Sequence, residues 1–373
     1  MLKQLGALYL ILGTCIAAGL LGLPVVTASN HYVLSIAYVM SAWLLMSTGA
    51  WCLLQVNLWL PPGTNLISMS EATLGKTVKL ITWAVYLLLL YSLICAYLAA
   101  SGDILQSLLR DVHIIIPRTL ASLLAAIGLG SIVYFGIRSV DMVNRLLMSV
   151  KIIICLLLIL LVVPHDSLAY LQLGNLHWHN SVWLVVICSF GYAIILPSIR
   201  EYLDSNKKQL NRVVLIGSLV PMVLYLIWIA VIQGALLRSG PHGLMAMNNA
   251  ANTNSMLMNA LAGLTHHNSL KSISIVFVSI CSVTGLLGVS ICLVDFLADG
   301  LKKPREGLNK LFLVGLTFTP PTLIVILKPA IFAHALAYAG LCCLYVLVGL
   351  PIAMYVVGRA KKVHEAVMMC DNA

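Results

Sequence analysis

The sequence predicts an all-α polytopic membrane protein of about ten transmembrane helices, five plus five, with helices 1 and 6 discontinuous. Three observations lead there. Hydrophobic residues make up 61% of the 373 residues and charged residues only 9%, against about 25% charged in a typical soluble domain. Ten apolar stretches, each near the ~20 residues a crossing needs, tile the chain. Finally, small residues crowd two of those stretches ahead of a proline, in the first and the sixth.

The ten expected spans are about 5–28, 34–58, 78–102, 118–137, 143–164, 181–199, 211–236, 273–298, 309–328 and 331–357. They leave no room for a soluble domain, so residues 1–373 read as one transmembrane domain. The breaks in spans 1 and 6 suggest a first repeat over about 5–164 and a second over about 181–357, as an inverted repeat requires. Met1 to Gly19 has the outline of a signal peptide, but its charged lead is one lysine, and an uncleaved first helix is expected.

In span 1 the run is Thr14-Cys15-Ile16-Ala17-Ala18-Gly19-Leu20-Leu21-Gly22-Leu23-Pro24. Such a run lowers helix propensity and lets another backbone approach closely. A backbone that opens inside a bilayer persists only where protein or a polar cavity satisfies it. The second candidate break is Ser189-Phe190-Gly191-Tyr192, followed by Pro197. Paired interruptions of this kind point to the substrate site of a secondary transporter. The competing reading of the first run is a close helix crossing of the small-xxx-small kind.

Charge sets the orientation. With the N-terminus in the cytoplasm, 16 Lys and Arg residues fall on the inside, five (Arg110, Arg118, Arg238, Lys271 and Lys328) on the outside, and Lys151 within a span. That asymmetry predicts cytoplasmic termini. It also explains the net charge of +10 without a nucleic-acid partner. The outer segment 165–180 reads as interfacial, and Met256 to Leu264 as a short amphipathic helix on the outer face. The ten cysteines form no disulfide framework, and His266-His267 has no third ligand nearby, so no metal and no other cofactor is expected. Enzyme motifs such as GxSxG, HExxH and the P-loop are absent.

Several residues carry the expected chemistry. Unwinding around Ala17, Ala18 and Gly19 would free backbone N–H groups for a carboxylate. Carbonyls near Ser189 would accept an ammonium group, with Phe190 and Tyr192 walling a side-chain pocket. Lys151 lies six residues beyond Arg145, about 9 Å deeper along a helix. It is either a proton-loading group, a fixed cation or a snorkelling lysine. Ser282 and Thr284 offer hydroxyls to such a cation, and Tyr97, beside small residues in span 3, could reach a substrate.

Taken together, Gly13 to Pro24 resembles the GTxIGAGxLxxP opening of the bacterial hydroxy/aromatic amino acid permeases. Further likenesses are Val140-Asp141-Met142-Val143-Asn144-Arg145 running to Lys151, Ser189 to Tyr192 with Pro197-Ser198, and Gly288-Val289 through Asp295 to Asp299. The likeness is nearest to the tyrosine and tryptophan permease branch, within the amino acid–polyamine–organocation superfamily. It implies a five-plus-five inverted-repeat fold in a bacterial inner membrane, carrying an aromatic amino acid together with a proton. By that pattern Thr14 and the backbone of Ile16 to Gly19 would hold the substrate carboxylate. Ser189 to Gly191 would take the amino group, Tyr97 and Tyr192 would line the pocket, and Lys151 would stand in a sodium site near Thr284. A serine or threonine carrier of the same family is the nearest alternative; a membrane sensor or enzyme is a more distant one. Two departures stand out: Ala17 replaces the family's glycine, and ten spans replace the usual eleven.

Overall fold

The computed structural model describes residues 2–16, 18–62, 64–135, 137–163, 166–241, 243–248, 250, 253–264, 268–304 and 306–361. Ala17, His165, His266 and His267 lie outside these residues. The architecture is all-α, a polytopic membrane bundle, and among the described residues there is one isolated β-bridge, Asn30 to Asn175.

The first span is two helices, α1 (Leu2–Cys15) and α2 (Ala18–Val26). Then follow α3 (Tyr32–Trp59), α4 (Leu66–Leu74), α5 (Lys76–Asp111), α6 (Arg118–Phe135), α7 (Ile137–Val162) and the short α8 (Leu168–Leu171). The sixth span is composite. α9 (Asn180–Cys188) gives way to a 3₁₀ segment, Gly191–Ile195, and then to α10 (Leu196–Tyr202), whose first turn contains Pro197. The remainder comprises α11 (Lys207–Ala235), α12 (Leu244–Met247), α13 (Thr253–Gly263), α14 (Asn268–Leu301), α15 (Gly307–Leu327) and α16 (Phe332–Cys343). A π-helical turn, Leu344–Gly349, joins α16 to α17 (Leu350–Ala360).

Eight of these helical segments are long and apolar enough to cross a membrane. The other two expected crossings correspond to the α1–α2 pair and to α7, whose apolar part is Leu146–Val162. Leu80, Ile127, Leu160 and Leu327 are largely exposed on the outside of the bundle. Such apolar exposure suits lipid rather than water.

Local chemistry sets the boundaries. His31 caps α3 by accepting from the Val33 amide, and Asn65 caps α4 by accepting from the Ser68 amide at 2.8 Å. Asn206 caps α11 by accepting from the Gln209 amide at 3.2 Å. Small residues bring the inner helices together. A β-carbon on Gly340 of α16 would fall onto the Leu184 carbonyl of α9, and one on Gly217 of α11 would lie 2.8 Å from the Ile11 side chain of α1. The expected outer helix is α13; it packs on α14 and α5 with Leu257 and Leu261, one turn apart, buried.

Candidate functional site

A cavity of about 710 Å³ runs up the middle of the bundle. Its mouth is formed by Leu5, Gly6 and Tyr9 of α1 and by Tyr202 at the end of α10, where Leu5, Tyr9 and Tyr202 are exposed. Its blind end reaches Gly13 and Thr14 just before the first break, Cys188 and Gly191 on either side of the second, and Tyr97, Thr284 and Gly285 opposite. Leu89, Leu90, Leu93, Met148 and Val289 supply apolar wall. The mixture of wide apolar wall and a few polar groups at one end is that of a small-molecule site.

Both breaks lie at this blind end. The first is the separation of α1 from α2; the α-helical part of the second ends at Cys188. The second break tightens rather than opens: Phe190 N–H donates to the Ile187 carbonyl at 3.0 Å, a three-residue step that leads into the 3₁₀ segment. Thr14 donates its hydroxyl to the Ile11 carbonyl at 2.8 Å, and Ser189 donates to Val185 at 3.0 Å. Each hydroxyl is therefore bonded within its own helix.

The structure distributes the other expected site residues over three layers. Tyr97 lies on the cavity wall, its ring against the bare backbone of Gly285, where a β-carbon would come within 2.5 Å. Ser282 donates to the Tyr97 carbonyl at 3.0 Å and lies 2.7 Å from the Ser101 hydroxyl, which fixes α5 against α14. Ile16, Phe190 and Tyr192 are buried behind the cavity; the Tyr192 hydroxyl turns to Ser47 of α3 at 3.3 Å. Ala18 and Gly19 begin α2, and Ala17 lies outside the described residues.

Lys151 is fully buried, and its ammonium donates to the Thr284 hydroxyl at 3.0 Å. Thr284 in turn donates to the Ile280 carbonyl at 2.7 Å. The two residues come from α7 and α14, 133 positions apart in sequence. Thr284 is also part of the cavity wall, so the ammonium stands one hydroxyl away from the space.

One feature was not legible in the sequence. The Tyr225 hydroxyl, from α11, lies 2.6 Å from the Cys15 carbonyl and 2.9 Å from the Ser189 carbonyl, so a single O–H is shared between the two breaks. Phe190 packs edge-on against the Tyr225 ring, with centroids 5.2 Å apart. One turn on, Trp228 donates its indole N–H to the Leu20 carbonyl of α2 at 2.7 Å and rests on Phe277. These rings are buried and lie outside the cavity lining. The spacing of Tyr225 and Trp228, three residues apart, puts both on one face of α11, but it does not tell whether that face offers rings or polar tips.

Comparison with known proteins adds to the geometry. The profile of the tryptophan/tyrosine permease family matches residues 2–372. A tyrosine-specific transport system (system 1) of Haemophilus influenzae is 28% identical, with 97% of this chain and 89% of the relative covered. A tryptophan-specific transport protein of Pseudomonas aeruginosa is 27% identical, covering 96% and 87%. Another from Shigella flexneri is also 27% identical, covering 90% and 82%.

Proposed function

Because the chain belongs to the tryptophan/tyrosine permease family, we propose that it imports an aromatic amino acid, tyrosine, tryptophan or phenylalanine, by proton symport with alternating access. The observation that carries this reading is the central cavity, which ends where both broken helices stop. A zwitterion needs donors for its carboxylate and acceptors for its ammonium, and interrupted helices supply both. The Ile16 amide is committed to the Leu12 carbonyl; the amides that open α2, at Ala18 and Gly19, suit the carboxylate. Around the second break the Ser189 carbonyl is taken by Tyr225, and carbonyls from Cys188 to Gly191 on the cavity side suit the amino group. Tyr97, Met148 and the leucines of α5 give an aromatic side chain an apolar berth, with Phe190 and Tyr192 packed behind it.

Lys151 carries the coupling. Its ammonium, held by Thr284, occupies a fixed position beside the substrate space. Proton gain and loss there would change the charge next to the site. Each elementary charge that crosses 100 mV contributes ~2.3 kcal/mol, enough to drive accumulation. The asymmetry of the Lys and Arg residues supports a bacterial inner-membrane protein with both termini in the cytoplasm. In that orientation the cavity mouth, beside Leu5 and Tyr202, faces the cytoplasm, and the two halves of the chain rock about the breaks.

Uptake of labelled amino acids by proteoliposomes, with and without an imposed pH gradient, tests the reading. The expected result is accumulation of an aromatic amino acid that grows with the gradient. Preferential uptake of serine or threonine would replace the substrate class. No counterflow of any amino acid would remove the carrier.

A further inference from the structure

Just beyond the end of α11, the helix that carries Tyr225 and Trp228, a buried cluster is centred on Arg238. Its Nη1 lies 2.6 Å from the Asn30 carbonyl, 2.5 Å from that of Leu173 and 3.3 Å from that of Ala28; its Nη2 lies 3.3 Å from Gln233 Oε1. Gln233 donates through Nε2 to the Thr27 hydroxyl at 2.8 Å and to the Pro24 carbonyl at 3.4 Å. Arg238 is 5% exposed and Gln233 fully buried. The arginine thus joins the turn into α3 to the strand-like residues after α8, and Gln233 ties it to the end of α2. The first two are also paired to each other, His31 N–H donating to the Asn175 carbonyl at 2.8 Å and Asn175 N–H to Ser29 at 3.0 Å.

The backbone is shaped for this contact. Gly174 has φ +104°, and a β-carbon there would lie 2.6 Å from the Asn30 carbonyl carbon and 2.7 Å from Arg238 Nη1. Only glycine allows that turn to close on the guanidinium. A cation is well placed at the carboxyl end of α2, where the helix dipole is negative. The cluster is not saturated: Arg238 Nε and Asn30 Nδ2 are buried with no protein acceptor. A closed arrangement that leaves donors unmet is held less firmly than a fully paired one.

We propose that Arg238 is a positioning residue of the transport cycle: its guanidinium latches the 28–31 turn to the 173–175 turn and, through Gln233, to the end of α2, and so keeps the cavity shut on the side away from its mouth. The inference rests on the transport reading above. Release of this latch accompanies opening of the far side and closure of the mouth; its re-formation accompanies the reverse. Arg238 touches no substrate; it acts through the position of α2.

The test reads which side of the membrane reaches the cavity. Full-length protein is labelled in right-side-out and inverted vesicles with a membrane-impermeant maleimide, and Cys188 and Cys292, both on the cavity wall, are quantified separately by peptide mass spectrometry. In the unaltered protein, labelling is expected mainly from the mouth side. Arg238→Ala is expected to raise labelling from the opposite side about tenfold and lower it from the mouth side, as an equilibrium shifted by lost charged hydrogen bonds requires. Arg238→Lys, which keeps the charge but not the planar fork, is expected to restore part of the original ratio. Gly174→Ala disturbs the same contact without touching the arginine and is expected to shift the ratio in the same direction. Equal ratios in a folded Gly174→Ala or Arg238→Ala protein would overturn the latch, as would a rise from both sides together, which is loosening rather than a switch. The labelling assay requires no substrate. A shifted ratio in a protein that carries no amino acid leaves the latch standing and removes the transport reading; normal uptake with an unshifted ratio does the reverse.

Discussion

Tyr225 donates its hydroxyl to the carbonyl of Cys15 at 2.6 Å, across 210 positions of sequence, and the same oxygen lies 2.9 Å from the carbonyl of Ser189. Cys15 and Ser189 stand at the two helix breaks. One phenol therefore satisfies the acceptors left free where both spans are interrupted, and it holds the interruptions at a fixed separation.

Tyr225→Phe keeps the ring against Phe190 and removes only the hydroxyl. Two buried carbonyls lose their donor, at a cost of about 1–3 kcal/mol for an unsatisfied group. The expected outcome is a lower thermal midpoint in detergent and uptake reduced severalfold, with ring packing intact. A midpoint and an uptake rate equal to those of the unaltered protein would show that the phenol does not tie the breaks together.

Lys151→Met replaces the ammonium beside Thr284 with an apolar chain of similar length. Thr284 retains its bond to the Ile280 carbonyl, so α14 stays wound. Exchange of internal and external substrate is expected to persist, while accumulation driven by a pH gradient disappears. The two assays on the same proteoliposomes check this, and an undiminished response to the gradient would remove Lys151 from the coupling.

Gly285→Ala puts a methyl group 2.5 Å from Tyr97 Cε1 and 2.6 Å from Cζ. The ring must move, and the direction open to it is the cavity. KM for the aromatic substrate is expected to rise about tenfold or more with little change in the amount of folded protein; parallel uptake curves and size-exclusion profiles measure both. An unchanged KM would place the substrate away from Tyr97.

Gly340→Ala strikes backbone rather than a side chain, because its β-carbon would land on the Leu184 carbonyl. α16 and α9 must separate, and overpacking of this kind costs about 1–3 kcal/mol or more. The thermal midpoint is expected to fall well below that of Gly315→Ala, whose β-carbon would meet nothing within 4 Å. Equal midpoints for the two variants would contradict the close α9–α16 crossing.

The membrane class, the approximate spans and the first break were legible because each is a local property. Gly19, Gly22 and Pro24 alter helix propensity wherever they stand, and Lys151 is conspicuous in an apolar run. Ser282 and Thr284 were both offered to Lys151 from the residues, and only the family likeness singled out Thr284, since nothing local tells a threonine which lysine it faces. Tyr225 and Trp228 were not legible: in an apolar helix a tyrosine or tryptophan looks the same whether it offers its ring or its polar tip. Arg238 was counted as an outside cation, yet it is buried on carbonyls, a fate set by two segments distant in sequence. Tyr192 was expected to line the pocket, and its hydroxyl meets Ser47. The 3₁₀ winding that begins at Gly191 turns about 120° per residue rather than 100°, so facing directions counted on α periodicity drift by a fifth with each step.

That same tight segment sets a length. Five residues, Gly191 to Ile195, rise about 2.0 Å each in 3₁₀ form and about 1.5 Å each in α form. Rewinding them would draw α10 ~2.5 Å toward α9 and swivel it by roughly 100°. Tyr202, at its far tip, would sweep through a wide arc across the rim. A change in the pitch of five residues is therefore sufficient gearing to turn an event at mid-depth into movement at the entrance.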